Sequence, residues 1–273
     1  MILNIDSILY HVVVDENKLD SDLLPIIFLH GFTGQAKDCE FIFDKLPNNY
    51  LPISIDLIGH GKTDHPEELD FYTTEAQVDH LKQIIEQLNL HNVILCGYSM
   101  GGRLALSFTV RFPHLVKSLI LESTTAGIEN TTERRERYKN DQLLADKIVN
   151  EGIDEFINYW MNIPLFASLR KLQEDKFSHV FNTKLMNNPI GLANSLRGFS
   201  SGRMPSNWDK LKTLTQNTLL ITGELDQKYC EINKQINSQL QNSEHIIIPS
   251  CGHNVHLENP EEFIILVNQF LNK

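Results

Sequence analysis

The 273-residue sequence has no long hydrophobic run and no excess of basic residues. No apolar stretch approaches the roughly 20 residues that a membrane-spanning helix needs, and residues 1–6 lack the basic and apolar segments of a signal peptide. The 24 Lys and Arg residues against 35 Asp and Glu residues give a formal net charge of −11. Because nucleic-acid binding needs a basic surface, we expect neither nucleic acid nor a membrane as a partner.

Cysteine is scarce and irregularly spaced. The four cysteines are Cys39, Cys96, Cys230 and Cys251, and they form no C-x-x-C pair and no regular framework. This spacing argues against a disulfide scaffold and against a cysteine-based metal site. We therefore expect a reduced, cytoplasmic protein that holds no metal.

Apolar runs and amphipathic segments alternate along most of the chain. Seven apolar runs have the composition of buried strands, at residues 9–14, 25–29, 51–55, 93–96, 117–121, 218–222 and 244–248. Residues 74–88, 100–112 and 260–271 place apolar side chains at helical spacing. Strands that alternate with helices predict an α/β fold, in which helices cover both faces of a mostly parallel sheet.

The alternation stops between residues 126 and 207. This stretch has only helical patterns, with prolines between them, at residues 131–150, 152–160, 165–181 and 191–196. We interpret it as a helical cap inserted into one core domain, which residues 1–125 and 208–273 form. Six of the eight arginines lie in the insertion, which indicates either a local anion site or a solvated helical face.

A short glycine-rich motif directly follows the apolar run at residues 93–96. Residues 97–101 read G-Y-S-M-G, and a G-x-S-x-G between a strand and a helix is the nucleophile elbow of α/β-hydrolase folds. Glycine is needed on both sides of Ser99 because strand and helix cross closely there, and the turn lifts the serine hydroxyl above the sheet edge. The motif predicts an α/β-hydrolase fold with a helical cap insertion.

A serine at such an elbow needs a base, and the base needs an orienting carboxylate. In this fold the chain order is serine, acid, histidine. The strand at residues 218–222 is followed by two acids, of which Asp226 is favoured over Glu224 because it lies further into the loop. The strand at residues 244–248 is followed by His253, favoured over His256 because Gly252 gives the loop room to turn.

Two further features concern the charge that develops in a reaction. An oxyanion hole needs two backbone N–H groups, and we expect them from Met100 and from Phe32 in the H-G-F-T-G loop at residues 30–34. Arg103 lies one helical turn beyond the serine, so both can face the pocket floor. A buried guanidinium there is costly unless an anion meets it. The alternative is a structural salt bridge to a nearby acid such as Glu122.

Several motifs together resemble one family, the 2-succinyl-6-hydroxy-2,4-cyclohexadiene-1-carboxylate synthases of menaquinone biosynthesis. The elbow extended to G-Y-S-M-G-G-R resembles that family's elbow, and E-R-R-E-R-Y at residues 133–138 resembles its first cap helix. Trp160 with P-L-F at residues 164–166 and G-R-M-P-S-N-W at residues 202–208 resemble two further family segments. The sequence departs from the family at Met204, where glutamine is common, and at Lys184, at a position that resembles that of a cap arginine in some members.

The resemblance implies a lyase without cofactor or metal, acting on a polycarboxylate small molecule from which it eliminates pyruvate. It implies that Ser99, activated by His253 and Asp226, removes a ring proton while Phe32 and Met100 hold the developing oxyanion. The implied substrate-binding residues are Tyr98, Arg103, Arg137, Trp160, Lys184 and Arg203. Two alternatives are a carboxylesterase or carbon–carbon bond hydrolase, and a non-catalytic binding protein of the same fold, which the intact triad disfavours.

Overall fold

In the computed structural model, which describes residues 1–19 and 21–273, eight strands form one sheet. In chain order they are β1 (Ile2–Ile5), β2 (Ile8–Val13), β3 (Leu24–Leu29), β4 (Tyr50–Ile55), β5 (Val93–Tyr98), β6 (Val116–Glu122), β7 (Asn217–Gly223) and β8 (Ser243–Ile248). Their spatial order is β1-β2-β4-β3-β5-β6-β7-β8. Pairings from β4 through β8 are parallel, and β1 and β2 add an antiparallel edge. The predicted, mostly parallel sheet is confirmed.

Nine α-helices lie within the described residues. They are α1 (Thr74–Gln87), α2 (Met100–Arg111), α3 (Thr131–Glu151), α4 (Ile153–Trp160), α5 (Glu174–Leu185), α6 (Pro189–Gly198), α7 (Gln227–Gln239), α8 (Val255–Glu258) and α9 (Pro260–Leu271). The Thr73 side chain caps α1 by accepting from the backbone N–H of Ala76, which satisfies one of the free N-terminal donors. None of these helices is long and apolar enough to cross a membrane.

Both faces of the sheet are buried. Ile27 and Leu29 of β3 pack into the core layer that contains Phe108 of α2, whereas Ile26 and Phe28 pack on the opposite side with α9. Successive side chains of a strand point to opposite faces, so a strand covered on both sides is apolar throughout. Each such side chain stabilises the fold by about 1.5–3 kcal/mol through its burial.

The helices α3 to α6 lie between β6 and β7 and form a cap with its own core. That core includes Ile148, Phe156 and Leu192. The helix predicted at residues 165–181 is wrong: a 3-10 segment at Pro164–Lys171 precedes α5. The reason is local, because the extended backbone of Leu172 interrupts the helical path between the two segments.

Several elements near the core have no counterpart in the sequence prediction. They include the short edge strand β1, a ten-residue 3-10 segment at Ala36–Lys45 and the helices α7 and α8. The mean hydropathy of α7 is low and only Asn233 and Ile236 are buried along it, so its apolar stripe is too narrow for a clear periodic signal.

Candidate active site

Ser99 lies in a strained turn between β5 and α2. Its backbone angles are φ 49° and ψ −103°, a region that non-glycine residues rarely adopt. A Cβ atom on Gly101 would come within 2.0 Å of the carbonyl oxygen of Leu29, and one on Gly97 within 2.6 Å of the carbonyl oxygen of Gly101. Only glycine therefore allows β5 and α2 to cross this closely. The Ser99 N–H donates to the carbonyl of Glu122 at 2.8 Å, which holds the turn against β6.

The structure brings Ser99, His253 and Asp226 together from the loops that follow β5, β8 and β7. His253 Nε2 lies 3.0 Å from Ser99 Oγ, and His253 Nδ1 lies 2.6 Å from Asp226 Oδ2. Both the histidine and the aspartate are buried. This is the geometry in which a histidine takes the serine proton while a carboxylate fixes its tautomer.

The two competing residues have other partners. Glu224 is exposed and its carboxylate accepts from the backbone N–H of Ser250 at 3.0 Å. His256 is buried and its Nδ1 bonds the carboxylate of Glu122 at 2.8 Å. Both contacts brace the loop that carries His253, and neither residue reaches Ser99.

Phe32 and Met100, the residues predicted as oxyanion donors, both line the same cavity as Ser99. Met100 is the first residue of α2, so its N–H has no intrahelical acceptor. Across the described residues, neither N–H donates to a protein acceptor. The ring of His30 bonds two backbone groups, the carbonyl of Gly31 and the N–H of Leu57, so His30 braces this loop.

A cavity of about 720 Å³ separates the cap from the catalytic residues. The core contributes Ser99, Met100, Arg103 and His253, and the cap contributes residues of α3, α4 and α6. Its walls combine aromatic and aliphatic side chains, among them Trp160, Phe166 and Leu144, with charged and polar ones. A site of this size and mixed lining suits a small molecule whose polar groups meet a few placed charges.

Arg103 points its guanidinium into this cavity without a carboxylate partner. Its Nη1 donates to the carbonyl of Phe199 at 2.6 Å and contacts Met204 Sδ at 3.7 Å. Within the described ranges no acid lies in salt-bridge distance of it. The proposed salt bridge to Glu122 is wrong, since that carboxylate pairs with His256. Burial, with the nearby Arg137 charge, lowers the pKa of Arg103 to about 10, so it stays cationic at neutral pH.

Arg137 reaches the same cavity from helix α3. Its Nε donates to both carboxylate oxygens of Asp141 at 2.9 Å, and Asp141 also accepts from Ser200 Oγ at 2.5 Å. Burial alone would lower the pKa of Arg137, but the adjacent Asp141 carboxylate outweighs it and raises the pKa. Two guanidinium groups thus line this wall with one carboxylate, which pairs with Arg137 and not with Arg103, so the wall stays positive.

The remaining sequence-predicted residues divide into two groups. Tyr98 and Trp160 line the cavity, and the Tyr98 hydroxyl donates to Asn254 Oδ1 at 2.6 Å. Arg203 is exposed, outside the cavity lining, and donates to the backbone carbonyl of Arg197 at 3.1 Å. Lys184 is buried beside the loop of Phe32, also outside the lining.

Sequence reasoning missed one aromatic neighbour of the triad. The ring centroid of Tyr229 lies 4.6 Å from that of His253, and Tyr229 lines the cavity with Lys228. Tyr229 follows Asp226 by three residues. Asp226 caps α7, so Tyr229 lies in the first turn of that helix, against the triad. A sequence prediction of α7 would therefore have placed Tyr229 there.

Comparisons with known proteins agree with this geometry. The profile of the alpha/beta hydrolase fold matches residues 25–260. A Bacillus subtilis (strain 168) protein, provisionally named 2-succinyl-6-hydroxy-2,4-cyclohexadiene-1-carboxylate synthase, is 45% identical over 96% of this chain and 94% of its own length. The chain belongs to this synthase family of the α/β-hydrolase fold.

Two further relatives support the family assignment. The synthase of Escherichia coli (strain ATCC 8739) is 28% identical over 90% of this chain and 93% of its own length. The solved structure of MenH from S. aureus has a TM-score of 0.88 and 30% identity, and the match covers 96% of this chain and 97% of that one. The resemblance and the α/β-hydrolase fold predicted from the sequence are confirmed.

Proposed function

We propose that this enzyme eliminates pyruvate from 2-succinyl-5-enolpyruvyl-6-hydroxy-3-cyclohexene-1-carboxylate, giving 2-succinyl-6-hydroxy-2,4-cyclohexadiene-1-carboxylate in menaquinone biosynthesis. One observation carries the proposal: Ser99 and the unpaired guanidinium of Arg103 open onto one cavity. A tricarboxylate substrate needs cations placed beside the base, and it would supply the anion that Arg103 lacks. The names of the family members reported above support the same reaction.

In the proposed mechanism Ser99 acts as a base rather than as a nucleophile. Its hydroxyl proton moves to His253 Nε2 as Ser99 Oγ removes the ring proton next to the succinyl carbonyl. The electron pair released forms an enolate, which collapses through the ring double bond and breaks the carbon–oxygen bond to the enolpyruvyl group. The leaving enolpyruvate takes a proton at carbon and becomes pyruvate, and His253 gives up the proton that it received, which restores the neutral imidazole. Asp226 stabilises the imidazolium at 2.6 Å throughout.

The backbone N–H groups of Phe32 and Met100 would hold the developing enolate oxygen. Donors fixed in a dry site stabilise such charge strongly, and loss of one typically costs about 100- to 1000-fold in rate. Arg103 and Arg137 would bind substrate carboxylates, with Tyr98 and Trp160 as walls. Direct substrate contacts by Lys184 and Arg203 are not part of this proposal, because neither side chain lines the cavity.

The proposal includes a cytoplasmic location. The four cysteines are free thiols, which is typical of a reducing compartment. Small polycarboxylates would be the partners of the site, and the chemistry described needs no metal or cofactor.

The test is release of pyruvate from the purified protein and its precursor, followed with lactate dehydrogenase. We expect release by the wild type and a loss of at least about 1000-fold in Ser99→Ala. Absence of pyruvate with the wild type would overturn the proposal, as would unchanged release by Ser99→Ala.

Ester or carbon–carbon bond hydrolysis is the second candidate, favoured by the complete triad at 3.0 and 2.6 Å. It differs in that Ser99 Oγ would form a covalent acyl intermediate. Burst kinetics with simple aryl esters, together with a mass increase on Ser99, would support hydrolysis. A linear time course without an adduct would favour the lyase.

A further inference from the structure

The cap reaches the oxyanion loop, residues 30–34, through a buried lysine. Lys184, near the C-terminus of α5, places its Nζ 3.1 Å from Thr33 Oγ1. The Lys184 side chain is only 7% exposed. A buried ammonium is costly unless it is hydrogen-bonded or paired, and burial lowers the pKa of Lys184 while the carboxylate of Asp38 opposes that shift. Within the described residues, the hydrogen bond to Thr33 Oγ1 is the one that the buried Lys184 ammonium group makes.

A second cap residue holds the same threonine. Asn187 Nδ2 donates to the Thr33 carbonyl at 3.1 Å and to the Lys184 carbonyl at 3.1 Å. Asn187 Oδ1 accepts from the N–H of Gly61 at 3.4 Å. Both Lys184 and Asn187 are buried. One turn of the cap therefore bonds both the side chain and the backbone carbonyl of Thr33.

Thr33 is a residue that needs such support. Its φ is 66°, which is unfavourable for a β-branched residue. The turn is closed by the Gly34 N–H, which donates to the Gly31 carbonyl at 3.0 Å. Phe32, whose N–H is assigned to the oxyanion, directly precedes the strained residue.

The ring of Phe32 is held by the cap as well. Its centroid lies 5.4 Å from that of Trp160 and 6.2 Å from that of Phe156, both edge to face. The cap thus fixes the Phe32 side chain from one direction and the following peptide from the other. A displacement of the N–H by a fraction of an ångström weakens its bond to a developing oxyanion, because preorganised donors act through distance and direction.

We propose that Lys184, with Asn187, is a positioning residue: it holds Thr33 so that the Phe32 N–H stays aimed at the reacting oxygen, and it does not bind a substrate carboxylate. The inference rests on the proposed elimination for its kinetic consequence. Its structural part, that Lys184 immobilises the oxyanion loop, stands independently of the substrate.

The kinetic test compares Lys184→Met and Thr33→Val, which remove the two ends of one hydrogen bond. We expect kcat to fall about 10-fold in each, less than for loss of a whole oxyanion donor, with KM within about twofold of the wild type. The double variant should lose no more than either single variant, because both remove the same bond. Thr33→Ser keeps the hydroxyl and should retain activity.

Lys176→Met is the matched control, since Lys176 is exposed on the same helix. It should change neither kcat nor KM. A rise in KM of about 10-fold with unchanged kcat in Lys184→Met would show substrate binding and overturn the inference. Unchanged kinetics in both Lys184→Met and Thr33→Val would overturn it too. If Lys184→Met does not fold, Thr33→Val and Thr33→Ser carry the test, because the first removes the hydroxyl that Lys184 contacts and the second keeps it.

Hydrogen exchange provides a readout that needs no substrate. We expect faster amide exchange in residues 30–34 of Lys184→Met and Thr33→Val, with exchange in β5 unchanged. Unchanged exchange in residues 30–34 would overturn the positioning role even if activity falls. Faster exchange in a protein that releases no pyruvate would instead preserve the positioning role and overturn the proposed function.

Discussion

Asp141 holds Arg137 with both of its carboxylate oxygens, each 2.9 Å from the guanidinium Nε. The two residues are one helical turn apart on α3, and Asp141 is 4% exposed. The bond uses Nε alone, and within the described residues the terminal nitrogens of Arg137 have no carboxylate partner. A buried carboxylate in the cavity wall therefore orients the cation that it partly neutralises.

Replacing Asp141 by asparagine should loosen Arg137. We expect KM for the polycarboxylate substrate to rise about 10-fold, and the free energy of unfolding to fall by about 1.5–3 kcal/mol, the range for hydrogen bonds to charged groups. Steady-state kinetics and urea unfolding measure both. Asp146→Asn is the control: Asp146 lies on the same helix and makes a surface pair with Arg197 at 2.7 Å, which is worth about 0–1 kcal/mol. Equal effects of the two substitutions would contradict this prediction.

Arg103→Met should impair turnover of the anionic substrate without unfolding the protein. Loss of a charged hydrogen bond worth about 1.5–3 kcal/mol corresponds to a fall of about 10- to 150-fold in kcat/KM. Arg111→Met tests specificity, since Arg111 lies on the same helix but pairs with Asp79 at the surface. Kinetics with the precursor, and thermal unfolding of both variants, check the prediction. Wild-type kinetics in Arg103→Met would assign that residue a structural role only.

Gly101→Ala should disrupt the elbow by a steric clash rather than by an unfavourable backbone conformation. The new Cβ would meet the Leu29 carbonyl oxygen at 2.0 Å, and the backbone of a central strand cannot move away. We expect a loss of more than about 3 kcal/mol or failure to fold. Gly152→Ala has no atom within 4 Å but a φ of 85°, so strain alone should cost about 1–3 kcal/mol. Denaturant unfolding compares them, and a Gly101→Ala protein more stable than Gly152→Ala would refute the steric argument.

Glu258 should make stability depend on pH. Its carboxylate accepts from the Gly252 N–H at 2.7 Å and from Ser168 Oγ at 2.9 Å, yet burial raises its pKa above the ordinary 4.5. The folded protein therefore binds this proton more tightly than the unfolded chain does. It follows that the free energy of unfolding falls as pH rises from 4.5 through the raised pKa.

The measurement is urea unfolding of the wild type and of Glu258→Gln between pH 4 and pH 7. Because other carboxylates titrate in both proteins, the difference between the two curves isolates Glu258. We expect the wild type to lose stability relative to the variant as pH rises. Parallel curves would show that the burial of Glu258 has no consequence for stability.

The sequence was sufficient to predict the candidate-site residues that directly follow strands. Ser99, Asp226 and His253 each come shortly after an apolar run, and the carboxyl ends of parallel strands meet at one edge of a sheet. Their convergence could therefore be predicted, although Ser99 and His253 are 154 residues apart. The predicted strand runs coincide with seven of the eight strands. Those in the middle of the sheet, β3 to β7, are largely buried on both faces and therefore have long apolar runs.

The sequence was insufficient where a side chain's direction matters. Lys184 and Arg203 carry the charge that a carboxylate would need, but one is turned toward Thr33 and the other toward the Arg197 carbonyl. Helical periodicity did not separate the 3-10 segment at Pro164–Lys171 from α5, because both have similar composition. Charge and residue type determine which bonds a side chain can form, and packing determines which partner it contacts.

By itself, the sequence determined the fold, the elbow and the order of the triad, because the glycine spacing around Ser99 and the apolar runs of buried strands are patterns that extend over a few residues. Only the tertiary structure decided which cations share the cavity with Ser99. Arg103 and Arg137 converge there because the core helix α2 and the cap helix α3 both line the cavity, and Lys184 is excluded because α5 ends against the oxyanion loop. Those contacts join segments far apart in the chain, and no local pattern encodes them.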